Sequence, residues 1–140
     1  MAAMMSSSGS PAEQTSGQLT VSYFVYVSAP DEESMQAASN GLKPMLQLGV
    51  EQTHTGALTG ARVAALVDQL PPKGSGYTGW TVLVTVLVDL DRWNAELGPG
   101  QTGADAAVHL RGILESIDIS AAEGASLDDV KVQSVIWSPH

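Results

Sequence analysis

A chain of 140 residues with fifteen acidic side chains, six basic ones and a formal charge of −9 fits one domain held together by an apolar core. It has no cysteine, which removes disulfide frameworks, thiolate zinc sites and cysteine nucleophiles together. The basic residues Lys43, Arg62, Lys73, Arg92, Arg111 and Lys131 stand singly. Phosphate recognition needs clustered cations, so nucleic acid is not an expected partner, and an anionic membrane surface would repel the chain.

Residues 1–17 are rich in Ser, Gly, Ala and Gln and are expected to be a disordered N-terminal tail ahead of one α+β domain over 18–140. Its first segment alternates, with Leu19, Val21, Tyr23, Val25 and Val27 on one face and Thr20, Ser22, Phe24, Tyr26 and Ser28 on the other, which predicts a strand. A helix follows, with Asp31 as N-cap, Glu32 and Glu33 in the first turn, and Met35, Ala38, Leu42, Met45 and Leu46 as its apolar stripe. Pro44 sits off that stripe, consistent with a kink on the solvent side rather than a stop, and Gly41 leaves an earlier break open.

The segment 49–60 reads either as a short edge strand or as an irregular loop. Helical spacing returns at Val63, Leu66, Val67 and Leu70, ended by Pro71 and Pro72. The clearest strand runs from Trp80 to Leu90, with Val82, Val84, Val86 and Val88 on one face and Thr81, Leu83, Thr85 and Leu87 on the other. After a loop over 91–101 comes a helix that Thr102 and Asp105 can start as a capping box, with Ala106, Leu110, Ile113, Leu114 and Ile117 on its buried side. The last strand alternates at Val130 and Val132, and a bulge near Ser134 is expected because Val135, Ile136 and Trp137 are consecutive.

Strands alternating with helices predict an α+β two-layer sandwich, a three- or four-stranded sheet with helices on one face, in a ferredoxin-like arrangement. No apolar run approaches the roughly 20 residues of a membrane-spanning helix, and membrane insertion is not expected. The N-terminus lacks the Lys or Arg of a secretory signal and the arginines of a transit peptide. A soluble intracellular protein is expected, in the cytoplasm or, after removal of a transit peptide, in the plastid stroma.

Three patterns invite a chemical reading. Gly98, Gly100 and Gly103 spell G-x-G-x-x-G before a helix, but Asp91, Arg92, Trp93 and Glu96 separate them from the preceding strand, where a dinucleotide fingerprint needs a tight turn. Asp89, Asp91, Glu96 and Asp105 could offer oxygen ligands, yet lack the dense spacing of a calcium loop. His54, His109 and His140 are dispersed, with no paired spacing for zinc and no local partner for a general base. No cofactor, metal or catalytic residue is expected, and an enzyme is the less favoured reading.

The second sheet face carries the functional expectation. If helices cover the face with Val21, Val25, Val84 and Val86, the other presents Phe24, Tyr26, Leu83 and Leu87, and from the last strand Val135 or Trp137. A solvated face should be more polar, so these six are the candidate interface of a non-enzymatic structural or assembly module that binds a protein partner or itself as a homo-oligomer. Trp80 and Trp137, at strand ends, are also suited to covering a core edge. The alternative is a small enzyme or ligand-binding domain with a pocket between sheet and helices, lined by Tyr23, Tyr26, Trp80 or His109.

Val82–Val88, then Leu110–Ile117, then Val135-Ile136-Trp137-Ser138-Pro139 form a strand, a helix and a closing strand that ends on Trp-Ser-Pro. This C-terminal part, about 60 residues, resembles an uncharacterised family of cyanobacterial and plastid proteins whose C-terminal strand closes on Trp-Thr-Pro. These 140 residues depart from that family's pattern, without its long helical region or membrane anchor among them, and residues 18–79 have no clear counterpart. The resemblance implies a photosynthetic lineage and no activity, so no catalytic residue carries over.

Overall fold

The computed structural model describes residues 10–52 and 60–139. Four strands, β1 (Gln18–Ser28), β2 (Ala61–Gln69), β3 (Gly79–Asp89) and β4 (Ser126–Ser138), form one sheet in the order β2-β3-β1-β4, with every neighbouring pair antiparallel. Helix α1 (Glu32–Gln52) joins β1 to β2. Two helices, α2 (Leu90–Leu97) and α3 (Gly103–Ser116), join β3 to β4. This β-α-β-β-α-β connectivity is the ferredoxin-like one. No helix among the described residues is long and apolar enough to cross a membrane.

The core lies between the helices and one sheet face. Leu19, Val21, Tyr23, Val25 and Val27 of β1 and Val82, Val84, Val86 and Val88 of β3 are all buried. β-Branched side chains at every second position suit this pleated surface. Met35, Ala38, Leu42, Leu46 and Val50 of α1 pack against them from above, with Leu110, Ile113 and Leu114 of α3. Gly49 provides the close approach between the helical elements, since a Cβ there would collide with the Ile117 side chain.

Helix starts follow the expected chemistry. Asp31 Oδ1 accepts from Ser34 N at 2.7 Å, and Thr102 and Asp105 form a complete capping box. These backbone N–H donors hold the Asp31 and Asp105 carboxyls below their ordinary acidity range. Pro44 is exposed and the helix continues through it.

Several local expectations are corrected. Residues 49–52, expected in an edge strand or loop, continue helix α1, and residues 53–59 of that segment lie outside the described residues. Residues 61–69 form a strand, β2, where helical spacing was expected. The presumed loop after β3 contains α2, capped by Asp89, whose Oδ1 accepts from Asp91 N and Arg92 N, and anchored by buried Leu90 and Trp93. Of the expected disordered tail, residues 1–9 lie outside the described residues, while 10–17 are held in place. They make a 3-10 turn over Pro11–Glu13, Gln14 O accepts from Gly103 N, and Gly17 O accepts from Leu90 N.

Candidate functional site

The cross-strand register lays out the sheet face away from the helices as rows of neighbouring side chains. One row runs Arg62, Leu87, Thr20, Ile136 from β2 across to β4. The next is Ala65, Thr85, Ser22, Ser134, followed by Val67, Leu83, Phe24, Lys131 and then Gln69, Thr81, Tyr26, Asp129. Two rows with large apolar side chains therefore flank a trough of small ones. In the trough the Ser22 and Thr85 hydroxyls hydrogen-bond to each other at 3.2 Å. Val67 is 50% and Ile136 61% exposed, while Phe24, Tyr26, Leu83 and Leu87 are half-buried among their neighbours.

Phe24 and Tyr26 lie with ring centroids 6.4 Å apart, and Lys131 Nζ stands 5.7 Å over the Tyr26 ring. Charges stay at the margin: Arg62, Lys131 and Asp129 on the edge strands and Asp89 at the end of β3. Two cations stand against two anions in register there, with exposed Asp128 beside Asp129 at the second register shift of β4, whereas the whole chain carries −9. Two apolar rows separated by an uncharged trough whose Ser22 and Thr85 hydroxyls satisfy each other, with the charges outside them, share the uncharged centre and polar rim of a protein interface.

Of the six residues expected on this face, the structure brings Phe24, Tyr26, Leu83 and Leu87 together. Val135 and Trp137 fall on the helix side, in register with buried Val21 and Leu19. Trp137 covers the core edge there, its Nε1 donating to Ser16 O at 2.7 Å. A register shift opposite Ser22/Tyr23 leaves Gln133 unpaired and reverses the phase of β4, which puts Ile136 on the open face instead.

The residues suggested for a pocket between sheet and helices do not converge. Tyr23 is fully buried, and its hydroxyl donates to Ala107 O of α3 at 2.6 Å. Burial without a charged partner pushes its pKa up. Tyr26 lies on the opposite face of β1, Trp80 is a buried core residue, and His109 packs edge-on against Trp93 at 5.3 Å. His54 and His140 lie outside the described residues.

The other patterns have structural uses. Gly98 and Gly100, both at positive φ, belong to a loop between two helices rather than between a strand and a helix. Asn94 closes that loop, its Nδ2 donating to Gln101 O at 3.1 Å and its Oδ1 accepting from Gln101 N at 2.6 Å. Gly103 faces the Pro11 carbonyl so closely that no Cβ fits.

A cleft of about 370 Å³ opens at one end of the exposed face, lined by Gln18, Gly60, Ala61, Arg62, Leu87, Asp89 and Arg92. Sequence spacing gave no sign of it, because Arg62 and Arg92 are thirty residues apart and meet only through the β2-β3 pairing. No family model matches the chain, and no curated protein or solved structure matches it either.

Proposed function

We propose that this protein is a non-enzymatic assembly module, soluble and intracellular, that self-associates by burying its open sheet face against a second copy. The observation that carries this reading is the one-sided helical cover, which leaves Val67, Leu83, Phe24, Leu87 and Ile136 on four adjacent strands facing outward. The strands β1 and β3 have eleven residues each. At about 3.4 Å per residue and about 4.8 Å between strands, the face measures roughly 700 Å², near the roughly 800 Å² that each partner of a standard interface buries.

Charge selects the second copy as occupant. The acidic residues of the helices and their loops, among them Glu33, Glu96, Asp105, Glu115 and Asp118, lie away from the face, where Arg62 and Lys131 offset most of the charge of Asp89, Asp128 and Asp129. Two copies can therefore approach face to face without opposing their most acidic surfaces. The edges are less inviting. Glu51 Oε2 accepts from Val63 N of edge strand β2 at 3.0 Å, and Arg111 Nε donates to Val130 O of edge strand β4 at 2.9 Å. The C-terminal family resemblance adds no activity to this reading.

Sedimentation velocity over a dilution series tests it. A dimer is expected, converted to monomer by Leu83→Asp and weakened at least tenfold by Val67→Lys with Ile136→Lys, two positions already exposed and so tolerant of substitution. A wild-type chain that stays monomeric at high concentration overturns the proposal, as does a dimer indifferent to the Val67/Ile136 pair. A monomer that binds one defined unrelated protein through this face reassigns the occupant and overturns self-association.

A further inference from the structure

We propose that the cleft at the end of the open face binds a small monoanionic carboxylate with an apolar body. Its walls come from β1, β2, β3 and the start of α2, all within one chain, and because Arg62 and Leu87 also belong to the open face, a ligand here and a second copy would compete for this end of the sheet. Arg62 and Arg92 flank it, and among the described residues neither guanidinium forms an ion pair. Two of the chain's six cations thus meet at one concavity in a protein of charge −9.

The cleft is held in shape by backbone contacts. Gly60 has φ +79°, and a Cβ there would lie 2.7 Å from Asp89 O and 2.9 Å from Arg92 Cβ. Gly60 O accepts from Asp89 N at 2.7 Å, which fixes the start of β2 against the start of α2. Asp89 Oδ1 is engaged by the backbone N–H groups of Asp91 and Arg92.

The lining chemistry selects the ligand. Guanidinium groups match the planar fork of a carboxylate, Leu87 offers an apolar wall, and the Gln18 amide can both donate and accept. Two arginines against the Asp89 carboxylate leave one net positive charge, which a monoanion neutralises and a dianion exceeds. The volume lies at the lower end of ligand sites, which limits the ligand to a small one.

Nuclear magnetic resonance titration of the full chain, with benzoate and with inorganic phosphate at constant ionic strength, tests this. Benzoate is expected to give saturable shifts at the Gly60, Arg62 and Leu87 amides and at the arginine Nε–H groups, in the millimolar range or tighter. Phosphate, largely a dianion above neutral pH, should bind several-fold more weakly. Arg62→Gln with Arg92→Gln should abolish saturation, and Gln18→Glu, which adds a carboxylate without touching either arginine, should weaken it several-fold. Shifts that rise linearly without saturating overturn the proposal, as do affinities unchanged in both variants. Phosphate binding as tight as benzoate overturns the monoanion assignment.

Discussion

The Tyr23 hydroxyl joins the sheet to the helical layer, donating to Ala107 O from a fully buried ring. Tyr23→Phe keeps the ring and removes the bond, so a loss of about 1 kcal/mol is expected from urea unfolding near neutral pH. The same substitution changes the alkaline response. A phenol whose folded pKa is raised contributes fully below its ordinary value of 10.0 and loses that contribution as pH rises past it toward the folded value. Wild-type stability should therefore fall above about pH 10, and Tyr23→Phe should fall less steeply; parallel curves would show that Tyr23 ionisation plays no part. Single residues also mark where sequence reading reached its limit on the open face. Phe24, Tyr26, Leu83 and Leu87 were legible because β1 and β3 pair without interruption and simple alternation holds. Val135 and Trp137 were not: the bulge lies beside Ser134 as expected, but one unpaired residue, Gln133, reverses every later side chain, and three consecutive apolar residues do not show which of them faces outward.

Edge strands carry their own chemistry. Beyond the Glu51–Val63 and Arg111–Val130 contacts, Asp68 of β2 points toward the helical layer and pairs with Lys43 Nζ at 2.9 Å. Side chains that occupy edge groups and inward-pointing charges both discourage strand addition. Removing two of these devices, as Glu51→Ala with Arg111→Ala, frees groups on both edges while leaving the open face intact. Light scattering at constant concentration should then rise with time into open-ended aggregates, distinct from the closed dimer expected of the wild type. A double variant as clear as wild type would show that the edges need no such cover. The edges also explain why β2 resembles a helix in sequence. A register shift between Val63 and Ala65 puts Val63 and Leu66 on the same side, three residues apart, so a bulged strand imitates helical spacing. Its alanines add no β-preference to correct the impression. Helix α2 was missed for a different reason. Eight residues make little more than two turns, and what fixes them is the Asp89 cap and two buried anchors rather than a long periodic stripe.

For the whole molecule, the proposed dimer must form against a net charge of −9 on each copy. Treating each copy as a point charge about 25 Å from the other, repulsion is roughly 1 kcal/mol at 0.1 M salt and several kcal/mol at 0.01 M, where screening reaches about 30 Å. Apolar burial of Val67, Leu83, Phe24, Leu87 and Ile136 is almost insensitive to salt over this range, so the charge term sets the trend. Rim ion pairs would work in the opposite direction, since salt weakens contacts of Arg62 or Lys131 with a carboxylate across the interface. The two origins of association therefore predict opposite slopes. If the apolar rows hold the copies together, the dimer dissociation constant should weaken at least tenfold on lowering salt from about 0.1 M to about 0.01 M. Sedimentation at the two salt concentrations reads this directly. A dimer that tightens at low salt would place its stability in the rim, and Leu83→Asp would then be the wrong variant to separate the copies, with Arg62→Ala and Lys131→Ala taking its place.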